Sequence, residues 1–117
     1  MAESETDDHL LILWTNDNRD TSINMVFMYA ENSLKHGWWG EVTLLIWGAT
    51  ARLAAGDEEI RGHVKTLINA GVKTIACRQC ADNLGIRENL EKMGVEVFYT
   101  GGFLTEWIKS GKKILTI

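Results

Sequence analysis

The chain has 117 residues, 45% of them hydrophobic and 24% charged, with a net charge of −4, two cysteines and no proline. That is the length of one domain, enough to bury roughly two-thirds of the unfolded surface, and it excludes a disordered chain, a collagen-like repeat and a disulfide-dense secreted scaffold. Glu3, Glu5, Asp7 and Asp8 crowd the start, so residues 9–117 carry twelve acids against twelve bases. A body without basic excess has nothing to draw in a phosphate backbone, and nucleic acid is not an expected partner.

Residues 1–8 are expected to form a disordered acidic leader ahead of a single domain at 9–117. The run Leu10–Trp14 (LLILW) is apolar throughout, as a strand covered on both faces is. It is too short for a signal-peptide core, and no stretch approaches the ~18 apolar residues of a membrane helix. Neither membrane nor secretion is expected, and the cytoplasm is the expected location. After the polar turn TNDNRD, Ile23, Val26, Phe27, Ala30 and Leu34 share one helical face, and Gly37 stops the helix. Val42–Trp47 (VTLLIW) is a second buried strand. Gly48–Gly56 holds a short helix, with Thr50 as its expected cap. Asp57 caps the next, whose face is Ile60, Val64, Leu67 and Ile68.

Lys73–Cys77 (KTIAC) is the third strand, followed by helical sequence bent at Gly85 with Ile86, Leu90 and Met93 facing inward. Val95–Tyr99, a helix carrying Leu104, Trp107 and Ile108, and Lys113–Ile117 complete the chain. Five alternations of strand and helix predict an α/β fold with a five-stranded parallel sheet in a three-layer α/β/α arrangement, flavodoxin-like in general architecture. Right-handed crossovers accompany it.

Binding edges of such sheets lie at the carboxyl ends of the strands. Four groups of residues share that edge: Thr15–Asp20, Trp47–Arg52, Cys77–Cys80 and Thr100–Phe103. Both cysteines are in the set. Cys77 ends a buried strand and begins a helix, where backbone amides and the helix dipole favour a thiolate, with Arg78 as a nearby cation. Cys80, one turn on, is placed to resolve an oxidised or persulfidated Cys77. Trp14 and Trp47 end strands and are expected to wall the cleft, with Asn16 in the loop beside them. Trp38 and Trp39 cannot both enter one small core, so at least one is expected to cover a neighbouring copy. Arg52 and His63 read as solvated helix surface.

A zinc site wants four ligands, and His9, His36 and His63 are scattered around a single cysteine pair, so no metal is expected. The thioredoxin fold sets a cis-proline opposite its CxxC, and this chain has no proline. No GxGxxG or Walker pattern occurs, and no resident cofactor is expected. A sulfur-handling cysteine, a dithiol redox pair and a buried structural cysteine in a binding subunit all stay open on spacing alone.

With TIACRQCADNLGI around the cysteines and EVFYTGGFLTEWIKSGKKILTI at the C-terminus, the chain from Leu10 to Ile117 resembles the DsrE/DsrF-like family of small sulfur-relay proteins. That family includes the DsrE and TusD subunits, which hold sulfur as a cysteine persulfide and pass it on. The Trp47-Gly48-Ala49 segment, the early ILWTNDNRDT stretch and the second cysteine are similar to uncharacterised single-chain branches. The resemblance implies a strand order of 43215 and a trimer or hexamer. It implies that Cys77 accepts sulfane sulfur for an acceptor thiol, with donor and acceptor proteins as partners. The alternatives are a non-enzymatic oligomeric subunit that binds a small ligand or partner, and a CxxC dithiol redox protein.

Overall fold

Strands whose side chains are apolar on both faces have no wet side, and their place is inside a parallel sheet covered above and below. In the computed structural model, which describes residues 8–117, β1 (His9–Trp14), β2 (Glu41–Ile46), β3 (Lys73–Cys77), β4 (Glu96–Phe98) and β5 (Lys113–Thr116) form that sheet. All pairs are parallel and the order is β4-β3-β2-β1-β5. The expected leader at 1–8 lies outside the described residues except for Asp8, whose carbonyl accepts the amides of Gly40 (2.9 Å) and Glu41 (3.1 Å).

Handedness decides the layers. Steps from β1 to β4 all move the same way across the sheet, so right-handed crossovers put every intervening helix on one face. These are α1 (residues 19–35), α2 (Ala49–Gly56), α3 (Glu58–Asn69), α4 (Arg78–Leu84) and α5 (Arg87–Lys92). Return from β4 to β5 crosses the sheet the other way and sends α6 (Gly101–Lys109) to the opposite face. The result is three layers of unequal weight. On the thick side Ile12, Trp14, Leu44, Ile46 and Ala76 pack against Val26, Ala30, Ala54, Val64 and Leu90. On the thin side Leu11, Leu45 and Ile75 lie under Trp107 alone, and Leu13, Trp47, Phe98, Phe103 and Leu104 stay partly open around it.

Local chemistry matches most of the expected elements. Asp57 accepts the Ile60 amide at 3.1 Å and caps α3. Gly85 sits at φ +69°, a left-handed conformation that ends α4 and turns the chain into α5. Three features differ. The first helix runs in π geometry over Ser22–Phe27 between α-helical Arg19–Thr21 and Met28–Lys35, and its wider turn buries the consecutive Val26 and Phe27. Thr50 does not cap α2. Gly48 holds that position, and the Thr50 hydroxyl binds the Trp14 carbonyl (2.8 Å) and the Trp47 carbonyl (3.0 Å), tying two strand ends together. Trp14 is not a cleft wall: it is fully buried on the thick side, where its indole edge meets Phe27 at 5.0 Å between centroids.

Of the adjacent pair, Trp39 packs on the core and donates to the Tyr29 hydroxyl at 3.1 Å. Trp38, 55% exposed, lines an open hollow with Met28, 50% exposed. No helix among the described residues is long and apolar enough to cross a membrane.

Candidate functional site

Neighbouring strands whose following loops leave for opposite faces open a crevice between them, and ligands of open α/β sheets gather there. In this topology the divergent pair is β3 and β4. The chain after β3 turns to the thick face as α4, and the chain after β4 turns to the thin face as α6. Cys77 ends the first of these strands and Thr100 follows the second.

Cys77 has the extended backbone of a helix N-cap (φ −69°, ψ 117°) and is 5% exposed. Burial pushes its thiol up. Against that act the Cys80 amide, the Cys80 side chain, the Thr100 hydroxyl and the Gln79 amide, and together they bring Cys77 below the ordinary thiol range. Thr100 is fully buried, and its Oγ1 has no hydrogen-bond partner among the described residues. The sulfur beside it is therefore the acceptor it can serve, weak as a thiol and strong as a thiolate.

Cys80 behaves in the opposite way. Burial raises its thiol and the Gly48 amide lowers it, but the adjacent Cys77 sulfur raises it further, and the net direction is up. The two groups titrate as a pair in which Cys77 ionises first and Cys80 keeps its proton to donate. Both thiols are free. Gly48 contributes through its backbone, whose φ of +73° and ψ of −136° only glycine adopts without strain.

Beside Cys80 lies a cavity of about 290 Å³ lined by Gly48, Ala49, Arg52, Cys80, Asn83 and Leu84. No cluster of metal-binding side chains occurs among the described residues.

The residues singled out from sequence separate into two groups. Cys77 and Cys80 come together at the crevice. Trp47 follows Ile46, which is in register with Ala76, and stays near the site as part of the thin-side cluster. Three others are employed elsewhere. Arg78 lies over the Tyr99 ring at 5.0 Å and binds Asp82, one turn further along α4, at 3.4 Å. Asn16 builds the turn after β1, its side chain accepting the Asn18 amide at 3.0 Å. Trp14 is core, with its indole N–H on Ser22 Oγ (3.0 Å) and the Asn16 carbonyl (3.1 Å). His63 stacks on Phe27 at 5.6 Å.

Sequence reasoning did not single out Thr100 and Gly48 as neighbours of the cysteines, or Arg52 as lining of the cavity beside Cys80. All three stand in the loop groups expected at the binding edge, yet only the adjacency of β2, β3 and β4 brings them to the cysteines.

The model of the DsrE/DsrF-like family matches residues 10–117. A conserved protein of unknown function from Bacteroides thetaiotaomicron superposes with a TM-score of 0.95 at 40% sequence identity, over 97% of each chain. The ychN protein from E. coli superposes with a TM-score of 0.67 at 18% identity, over 93% of this chain and 97% of its own. At that identity the likeness concerns the fold alone. No curated protein matches the chain.

Proposed function

Since this chain belongs to the DsrE/DsrF-like family, we propose that it is a small sulfur carrier that holds sulfane sulfur as a persulfide on Cys77. One observation carries the reading: a buried thiol stands at a helix N-cap between a strand end and a buried hydroxyl that has no other use, in surroundings that lower its pKa. The thiolate attacks the outer sulfur of a donor persulfide, and the donor's S–S bond breaks with its electron pair leaving on the donor thiolate. The outer sulfur, now on Cys77, passes to an acceptor thiol by the same exchange in reverse. No net oxidation occurs. Amides and hydroxyl that stabilise a thiolate serve the terminal persulfide anion in the same way.

The contact between the two cysteines favours a second reading, a dithiol redox pair. There Cys80 displaces hydrosulfide from a loaded Cys77 and leaves a Cys77–Cys80 disulfide. Intact mass spectrometry after brief exposure to polysulfide separates the readings. A carrier gains the mass of sulfur as wild type and as Cys80→Ser, but not as Cys77→Ser. A redox pair ends as a disulfide in wild type alone. No change in any form would remove sulfur chemistry from this site and favour a binding subunit.

Self-association is part of the proposal. Trp38 is 55% exposed, Ile108 56% and Ile114 36%, and the thin face has a single helix over a row of apolar side chains. Open apolar surface of this kind marks a contact with another chain. Light scattering is expected to give a trimer or hexamer of the 13.2 kDa chain; a monomer at micromolar concentration would overturn this part. We place the carrier in the cytoplasm, whose reducing conditions keep both thiols free.

A further inference from the structure

We propose that the cavity beside Cys80 is the entry site for a small anionic sulfane-sulfur donor, with Arg52 holding the donor's anionic group. The inference rests on the carrier reading and names the substrate class of the same site.

Three observations support it. Arg52 is exposed and is the one arginine of five without an ion pair or hydrogen bond among the described residues. Arg19 binds Asp57 and Glu59, Arg61 binds the Ala55 carbonyl, and Arg78 and Arg87 both bind Asp82. Next, the polar lining offers donors. Asn83 Oδ1 accepts from Gln79 at 2.9 Å, an orientation that leaves its amide N–H groups free to donate. The Gly48 amide faces the cavity wall at Cys80, and no carboxylate lines the space. A cation and N–H donors over the apolar surface of Ala49 and Leu84 suit an anion with a short carbon or sulfur body. The third observation is position. Cys80 lines the cavity and Cys77, which does not line it, adjoins Cys80, so a donor seated on Arg52 brings its sulfur to Cys80 and through it to the buried Cys77.

Size points to a small molecule. The cavity of about 290 Å³ is at the low end for ligand sites. The neighbouring hollow of about 410 Å³ shares Ala49 and Arg52 but is lined by Asp17 and Asp57 and has no thiol. The step is a thiolate–persulfide exchange. Cys77 thiolate bonds to the outer sulfur of R–S–SH, the inner S–S bond breaks, and R–S⁻ leaves with its anionic group still on Arg52. The proton stays on the transferred sulfur.

The test compares two donors of similar size and opposite charge, the persulfides of mercaptopropionate and of cysteamine, with loading of Cys77 followed by mass spectrometry. Arg52 is on the surface of α2, so its replacement removes no core contact. Arg52→Ala is expected to slow loading from the carboxylate donor about tenfold, the scale of one charged hydrogen bond, and to leave the ammonium donor within about twofold. Arg52→Glu should favour the ammonium donor. Equal slowing of both donors, or of neither, would overturn the proposal. Loading of wild type by polysulfide but by neither small donor, at a rate unchanged in Arg52→Ala, would overturn the entry site and leave the carrier standing. Failure of every donor would remove both.

Discussion

Replacing Thr100 with Val is expected to slow alkylation of Cys77 by iodoacetamide about tenfold at pH 7. The buried hydroxyl, with no other partner, can donate to the Cys77 thiolate, an interaction worth roughly 1.5–3 kcal/mol, and each 1.36 kcal/mol corresponds to about one pKa unit. Cys77 lies below the ordinary thiol range with Thr100 among the causes, so losing that donor moves its pKa up. The sign follows. Below both pKa values the thiolate fraction falls with the shift, whereas above both the thiol is fully ionised in either protein and the rates converge. Measured in a Cys80→Ser background, the pH profile should therefore move to higher pH without a change in its upper plateau. Thr100→Ser keeps a donor and should restore the rate. Val has the shape of Thr and removes a buried hydroxyl that has no hydrogen-bond partner, so the fold should be no less stable. A profile that does not move would assign the thiolate to the Gln79 and Cys80 amides alone.

The contrast between Thr100 and Arg78 shows what one chain of residues discloses about a site. Strand and helix types were legible because apolar runs and helical periodicity are local. Cys77 was legible because a residue that ends a strand and starts a helix carries its chemistry in its immediate neighbours. Arg78 also stands next to it in sequence, but its guanidinium is taken by Tyr99 and Asp82, which no local pattern announces. Thr100 is 23 positions away in sequence and becomes a partner only because β4 lies beside β3 and its loop turns to the other face. Periodicity does not order strands; in the sequence reading, the order 43215 came from family resemblance. Arg52 was passed over for a related reason, since an arginine on a helix usually belongs to a solvated surface. Its significance emerges when the other four arginines prove to be paired and the lining of the cavity beside Cys80 proves to lack a carboxylate.

Two tryptophans that looked equivalent in sequence lead to the other large effect. Trp14→Ala is expected to cost about 3–5 kcal/mol, the range for emptying a buried aromatic site, against a total of about 5–15 kcal/mol for a domain. Trp14 is fully buried, packs on Phe27, and gives its indole N–H to Ser22 and Asn16, so its loss leaves a void under α1 that the π segment cannot close. Urea unfolding should show a much lower midpoint at an unchanged slope. Trp47→Ala removes a half-buried ring from the thin face, with a cost of about 1 kcal/mol, typical of point substitutions, and its larger effect should be on association. Sulfur loading distinguishes a structural role from a catalytic one. Trp14 is on β1, separated from β3 by β2, and its side chain is on the thick side among core residues. The folded fraction of Trp14→Ala should therefore load Cys77 at the wild-type rate. Slower loading by the folded protein would return Trp14 to the cleft, where its place at the end of a strand had suggested it belonged.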